Sequence, residues 1–337
     1  MKIAIHERKG SFSDRWIPYC EEHHIEYKIV DAYANNIIEQ VEGCDAFMWH
    51  FHQGDYRDMQ MAKALILSLE TKGLRCFPNR ESCWHFDNKV WEKYLLEAVG
   101  APLVPSYVFY TETEANAWVD SVHFPKVFKL KGGAGASNVK LAHTREEARN
   151  LIKQCFGKGF TQYRWKEHLR EEWHRFKEGR VPFRNVVRPF YYAMKRYPNA
   201  FSHYHQKEIG YAYFQDFIPY NSFDTRVVVI AGEYAMAERR KVREGDFRAS
   251  GSGLFEYGNV DERVLSIAFS VSKRLKMQSV AFDFIMDGET PLIVEISYGF
   301  GTHGIEHCGG FWTQDLVWHP SNEFDFYGWM VEDLIKQ

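Results

Sequence analysis

The sequence predicts a mixed α/β (α+β) chain, with a small parallel sheet at the N-terminus and antiparallel strands toward the C-terminus. Three observations carry that expectation. Short apolar runs alternate with helix-like stretches over residues 1–80, a glycine-rich segment lies between two strand-like stretches near 125–142, and residues 282–299 read as a hairpin. The chain has 337 residues, enough for about two or three domains with their own cores. Its 45% hydrophobic content belongs to the soluble globular class, and its net charge of -3 argues against a general nucleic-acid coat. Six cysteines without a CxxC pair make zinc ribbons and disulfide frameworks poor explanations. No run approaches the ~18 apolar residues of a membrane span, and the N-terminus lacks a secretory apolar core, so the expected compartment is the cytoplasm.

The elements follow in order. Apolar segments at 3–5, 25–30 and 46–51 alternate with a helix-like stretch at 58–69, the pattern of a parallel sheet. Residues 87–99 carry Val90, Trp91, Tyr94, Leu95 and Ala98 at helical spacing, then Gly100, Pro102 and Pro105 as stop signals. Thr144 with Glu147 three residues on is a capping box that opens another helix. Residues 155–207 are rich in basic and aromatic side chains, and Trp165, Leu169, Trp173 and Phe176 recur at helical spacing. This insertion reads either as a solvated basic helix and loop or as a lid that meets an anionic substrate. Strands and helices alternate again from Tyr211, and residues 327–336 close the chain as a helix. The expected parts are therefore 1–80, 81–210 and 211–337.

Within the hairpin, Asp283 and Glu295 sit in otherwise apolar runs. A turn centred on Glu289 places them opposite one another, with Ser297 following on the same face. Two buried carboxylates side by side repel in a low dielectric. Either they reach solvent, or a divalent cation lies between them, and hard oxygen donors favour Mg2+ or Mn2+.

Lys129 lies in an apolar strand just before Gly132, Gly133, Ala134, Gly135, Ala136 and Ser137, and a second strand follows. A plain flexible turn is one reading. The other is a flap whose backbone N–H groups cover phosphates while Lys129 neutralises them. Neither the Walker A pattern nor the dinucleotide fingerprint fits, because no Gly-Lys-Ser/Thr and no helix come next. Farther on, Gln215, Asp216 and the Phe217 and Ile218 backbone could meet an adenine along an extended edge. Arg226, Arg240 and Arg248 punctuate the strands and loop after it, either as structural ion pairs or as a clamp for a transferring phosphoryl group.

Taken together, these motifs over about residues 77–310 resemble the ATP-grasp superfamily, particularly carboxylate-amine ligases of the ribosomal-protein glutamate ligase and glutathione synthetase type. The resemblance implies an ATP-grasp fold: an N-terminal domain at 1–80, a linker and lid subdomain at 81–210, and a catalytic subdomain at 211–337. It implies ATP and Mg2+ (or Mn2+) as cofactors, with Lys89 and Lys129 on the nucleotide and the 215–218 stretch at the adenine. Asp283 and Glu295 match the metal carboxylates, Arg226 and Arg240 the substrate and transition-state arginines, and the loop holding Arg248 the segment that closes on the site. Two positions depart from the pattern: Ser297 stands where the third metal ligand is usually Asn, and Ser250 where the loop carries Asn.

The tail after the hairpin keeps the glycines of the family's substrate loop, including Gly301, and adds His303, Glu306, His307 and Cys308. Substrate contacts, structural histidines and a zinc site are the readings open there. The implied activity joins a carboxylate to an amine through an acyl phosphate, releasing ADP and phosphate. Expected partners are ATP and small carboxylate and amine substrates, with an anionic sugar such as a uronic acid or a peptide as acceptor, and a homodimer as the expected assembly. Phosphate transfer to a hydroxyl, or nucleotide binding without turnover, are the alternatives.

Overall fold

The computed structural model describes residues 1–133, 138–161, 169, 173, 176, 182–187, 207–243, 245–251, 253–258 and 260–336. Gly135, Ala136 and Ser137 of the glycine-rich segment, and most of the 155–207 insertion including Trp165, lie outside them. The described residues cluster into two units, one holding 1–52, 57–104 and 218–337, the other 53–56 and 105–217.

The first unit begins with β1 (Lys2–His6), α1 (Ser13–Glu22), β2 (Glu26–Val30), α2 (Ile37–Gln40), β3 (Ala46–Met48), α3 (Tyr56–Thr71) and β4 (Arg75–Phe77). The four strands form a parallel sheet in the order β2-β1-β3-β4. Parallel strands are covered on both faces, and β1 and β3 read accordingly as nearly unbroken buried apolar runs. A short α4 (Arg80–Cys83) and α5 (Lys89–Ala98) follow, their first turns capped by the Asn79 and Asn88 side chains. Helix α5 turns a different face inward from the one its apolar spacing predicts. Val90, Glu92, Lys93 and Leu96 are buried, whereas Trp91 and Tyr94 are exposed. Trp91 stacks on Trp84 and carries the Lys63 ammonium over its ring, which gives the indole partners at the surface.

Among its described residues the second unit carries an antiparallel sheet and helices, with β5 (Ser106–Phe109), α6 (Glu112–Ser121), β6 (Lys126–Lys129), β7 (Val139–Ala142), α7 (Arg145–Phe156) and β8 (Ala212–Asp216) in strand order β5-β8-β6-β7, and residues 183–187 also helical. The glycine-rich segment therefore connects two hairpin strands. Thr144 caps α7 by accepting from the Glu147 N–H at 3.2 Å, and Glu147 Oε2 reaches back to accept from the N–H of His143, one residue before the cap, at 2.7 Å, a close variant of the capping box.

The chain then returns to the first unit with β9 (Phe223–Ile230), β10 (Tyr234–Lys241), β11 (Phe255–Glu256), α8 (Glu262–Leu275), β12 (Ser279–Asp287), β13 (Thr290–Ser297), a 3-10 turn (Ile305–His307), β14 (Gly310–Thr313), β15 (Trp318–Pro320) and α9 (Phe326–Lys336). The sheet runs β13-β12-β9-β10-β14-β15, with β11 also on β10. Period-two alternation sorts its side chains. Val228, Ile230, Met236 and Ala281 join a core cluster with β1, α1 and α9, while Val227, Val229, Ala237 and Phe282 join one with α8. Among the described residues no helix is long and apolar enough to cross a membrane.

Candidate active site

The sheet of the first unit carries a row of four charged residues in register: Glu295 on β13, Asp283 on β12, Arg226 on β9 and Glu238 on β10. The hairpin reaches this pairing by a different route from the symmetric turn expected. Asp287 pairs with Thr290 across the two-residue turn Gly288 and Glu289, and a bulge that adds Val294 then shifts the register so that Asp283 meets Glu295. Gly288 has φ of +58°, the left-handed conformation such tight turns require.

Neighbouring side chains knit the row together. Arg226 forms a two-pronged pair with Asp283, Nε to Oδ1 at 2.8 Å and Nη2 to Oδ2 at 3.0 Å. Arg240 forms another with Asp224, at 2.7 and 2.6 Å, and extends Nη2 to Asp283 Oδ2 at 2.7 Å. Burial works against ionising Asp283, but the Arg226 and Arg240 guanidiniums outweigh it and hold the carboxyl well below its ordinary range. Glu238 differs. It is 2% exposed, its Oε2 has no hydrogen-bond partner among the described residues, and burial pushes its pKa up to about 7 despite Arg226 and Arg240 nearby.

At the Glu295 end of the row, the Lys89 ammonium at the start of α5 lies 3.5 Å from Glu295 Oε2. One turn along the helix, Glu92 is buried, and burial raises its pKa to about 8 against the pull of Lys89. Its Oε2 accepts from the Ile296 N–H at 3.4 Å.

At the far end a cavity of about 560 Å³ is lined by Lys241, Leu254, Phe255, Glu256, Tyr257, His303 and His307 among others. The two imidazoles meet edge-on at 5.1 Å, and His307 Nδ1 lies 2.7 Å from the His303 carbonyl. Gly301 is exposed in the same loop.

The RimK-like ATP-grasp domain family matches residues 203–312, the stretch that holds Arg226, Glu238, Arg240, Asp283 and Glu295. A probable alpha-L-glutamate ligase of Enterobacter sp. is 28% identical over 89 residues, 26% of this chain and 30% of that protein, so the chain matches under a third of its relative's length. The solved RimK domain protein ATP-grasp of Sphaerobacter thermophilus superposes with a TM-score of 0.60 at 13% identity, covering 99% of this chain and 100% of that one. The D-alanine–D-alanine ligase of Bacillus anthracis, solved with ATP, gives 0.58 at 13% identity over 100% of this chain and 96% of its own. The fold is the ATP-grasp fold.

Within that ATP-grasp fold, the residues expected at the site fall into three groups. Lys89, Arg226, Arg240, Asp283 and Glu295 come together in the first unit as described. Lys129, Gly132, Gly133, Gln215 and Asp216 belong to the second unit. There Lys129 is 6% exposed at the end of β6, Gly133 takes φ of +109°, and Gln215 Nε2 donates to Ser106 Oγ at 3.1 Å. The Asp216 carboxylate is engaged by Lys126 at 2.5 Å. Phe217 ends this unit and Ile218 resumes the first. The third group comprises side chains turned to local partners. Arg248 is clamped on Asp246 of its own loop, at 2.9 and 2.6 Å, and Ser297 Oγ donates to the Gly299 carbonyl at 2.5 Å.

A cation fits this donor set in one way. Each carboxylate oxygen has two acceptor positions. Asp283 Oδ2 spends both on arginines, whereas Oδ1 keeps one beyond the Arg226 bond. Glu295, with its side chain 28% exposed, presents its oxygens more openly. Glu295 with Asp283 Oδ1 therefore suits one hard divalent ion. Among the described residues no three His, Cys, Asp or Glu side chains gather as a metal site, and the zinc reading of the His303 to Cys308 loop draws no support.

Sequence reasoning missed Asp224, Glu238 and Glu92. For the first two the signal was present: Asp224 and Arg226, and Glu238 and Arg240, stand two apart on strands, so each pair shares a face. Glu92 stands three residues from Lys89 on α5, on the same face of that helix.

Proposed function

We propose that this protein is an ATP-dependent carboxylate-amine ligase, which activates a carboxylate as an acyl phosphate and joins it to an amine with release of ADP and phosphate. The observation that carries the reading is the in-register run Glu295, Asp283 and Arg226, with Lys89 beside Glu295. It arranges cation ligands, guanidinium groups and a cavity in sequence along one sheet. The family match and the ATP-grasp fold support the nucleotide as the phosphoryl donor.

In this reading Lys89 and Lys129 are the lysines that would bind the phosphates, and the 215–218 stretch would meet the adenine. Glu295 and Asp283 Oδ1 would hold Mg2+, or Mn2+, which when bound supplies charge neutralisation for the transferring phosphoryl group. Arg226 and Arg240, fixed by Asp283 and Asp224, present guanidinium edges to the negative charge that develops on the phosphoryl group and later on the tetrahedral carbon. Because both arginines are already held in place, little reorganisation accompanies the reaction. His303 lines the cavity where the acceptor would enter, Gly301 lies in the same loop, and Arg248 exchanges Asp246 for substrate when its loop closes. The acceptor class, an anionic sugar or a peptide, is left to the substrate screen below.

A screen of carboxylates and amines for stimulated ADP release, with ATP and Mg2+, tests the proposal. A carboxylate and amine pair that raises ADP release together and yields an amide of the summed mass is the expected result. ADP release with a phosphorylated hydroxyl product, or nucleotide binding without turnover across the screen, would replace this reading.

A further inference from the structure

The ligase reading accounts for three members of the charged row and leaves the fourth idle. Glu238 lies one strand beyond Arg226, on the side away from Glu295. Its Oε2 is buried and without a partner among the described residues, an arrangement that carries a desolvation penalty unless something is meant to meet it. The covering atom is backbone. A Cβ built on Gly304 would stand 1.6 Å from Glu238 Oε2, so only the absence of a side chain at 304 lets the loop lie over the carboxylate. Tyr257 ties that loop down through a hydrogen bond from its hydroxyl to the Gly304 carbonyl at 2.8 Å. Tyr257 and His303 both line the 560 Å³ cavity. Gly304, the residue after cavity-lining His303, therefore lies against the unpaired carboxyl group.

We propose that Glu238 is the residue that receives the amine substrate, binding its ammonium group and taking its proton before attack. The proposal rests on the ligase reading and names the nucleophile's side of that site. The row gives the order: nucleotide and cation at Glu295 and Asp283, the reacting acyl carbon over Arg226, and the amine arriving from Glu238. In the step itself, the ammonium gives one proton to the Glu238 carboxylate and its nitrogen lone pair forms the C–N bond. The acyl C–O bond to phosphate breaks and phosphate leaves with that electron pair. A second nitrogen proton goes to the departing phosphate, so the products are the amide, hydrogen phosphate and protonated Glu238, which returns its proton to water.

The groups facing Glu238 are Arg226 and Asp224 on β9, Arg240 on its own strand, Asp283 on β12, Tyr257 after β11 and Cys308 after the 3-10 turn. The two arginines favour the ionised carboxylate and the two aspartates oppose it. Burial is the largest influence and sets its proton affinity near neutrality, where a proton acceptor for an ammonium group is effective.

The test compares two kinds of nucleophile in the full chain with ATP, Mg2+ and the carboxylate that best stimulates ADP release. Hydroxylamine is largely uncharged near pH 7, so no proton has to be removed before it attacks, and the one it loses goes to the departing phosphate. Glycine, L-glutamate, L-lysine, D-alanine and ethanolamine carry ammonium groups. In Glu238→Gln, hydroxamate formation should stay within about twofold of wild type. Ligation to the best of the amines should fall by about 10²-fold or more, and the rise of its kcat/KM with pH near neutrality should disappear. Glu238→Asp, which keeps the carboxylate, should recover part of the amine reaction. Equal loss with both nucleophiles would make Glu238 merely structural and overturn the proposal. So would undiminished amine ligation in Glu238→Gln, or wild-type hydroxamate formation without ligation to any of these amines. Absence of hydroxamate from the wild-type protein would instead strike the ligase reading itself.

Discussion

Arg226 grips both oxygens of Asp283, and Arg240 adds a third bond to the same carboxylate from two strands away. Asp283 is therefore the counter-ion of two largely buried guanidiniums and keeps one acceptor position on Oδ1. Replacing it with alanine leaves both cations undercompensated. Asp283→Ala should lose roughly 3–5 kcal/mol of stability in urea unfolding, the penalty typical of breaking a buried pair from one side. A loss below about 1 kcal/mol would mean that the arginines reach water or other partners without it.

Glu295 separates structure from chemistry because its side chain is partly exposed and its ion partner, Lys89, lies at 3.5 Å. Lys89 is largely buried and the Gln oxygen can still accept from it, so Glu295→Gln should shift stability by no more than about 1–2 kcal/mol. Substrate-stimulated ADP release should nonetheless fall by roughly 10²- to 10³-fold, the usual scale for losing one electrostatic element of a preorganised site. Thermal unfolding and an ADP assay on the same preparation check both halves.

The elevated proton affinity of Glu238 has a definite sign in stability against pH. Its pKa in the folded protein is about 7, against 4.5 for an unperturbed glutamate. Between those values the folded state keeps a proton that the unfolded state has released, so stability falls as pH rises through that window and stays lowered above it. The difference amounts to about 3 kcal/mol. Glu238→Gln should therefore gain stability relative to wild type on going from about pH 5 to pH 8. Parallel unfolding curves for the two proteins at both pH values would remove this part of the account.

Gly304 and Glu238 form a second testable pair. Gly304→Ala places a methyl group against Glu238 Oε2 and Phe255, and overpacking of that kind typically costs about 1–3 kcal/mol. In the Glu238→Ala background only the Phe255 contact at 2.9 Å remains, so the same substitution should cost clearly less. A double-mutant cycle by chemical denaturation measures the coupling, expected at about 1–3 kcal/mol. Additive effects would show that the loop yields without meeting the carboxylate.

What the sequence made legible was periodicity. Strands β1, β2, β9, β10, β12 and β13, the glycine-bearing hairpin β6–β7 and the Thr144 capping residue all follow from local patterns, whereas the opposition of Asp283 and Glu295 needs the bulge at Val294 to offset a turn shorter than the one expected. Tertiary partners were not legible. The apolar spacing of α5 pointed Trp91 and Tyr94 inward, but the Trp84 ring and the Lys63 ammonium hold Trp91 at the surface, while Glu92 and Lys93 turn in. Likewise, no local signal says that Asp283 will spend three of its four acceptor positions on arginines from β9 and β10. That follows only when the strand order brings positions 226, 240 and 283 side by side. The bulge at Val294 is equally silent in sequence, because an extra β-branched residue in a strand looks like continuation of the strand.

The central claim, that the row on this sheet serves to activate a carboxylate with ATP, is tested most directly by trapping. Incubation with ATP, Mg2+, hydroxylamine and the carboxylate that best stimulates ADP release should give a hydroxamate in step with ADP, and Glu295→Gln should abolish both while remaining folded. ADP formation without hydroxamate, or a Glu295→Gln protein as active as wild type, would contradict it.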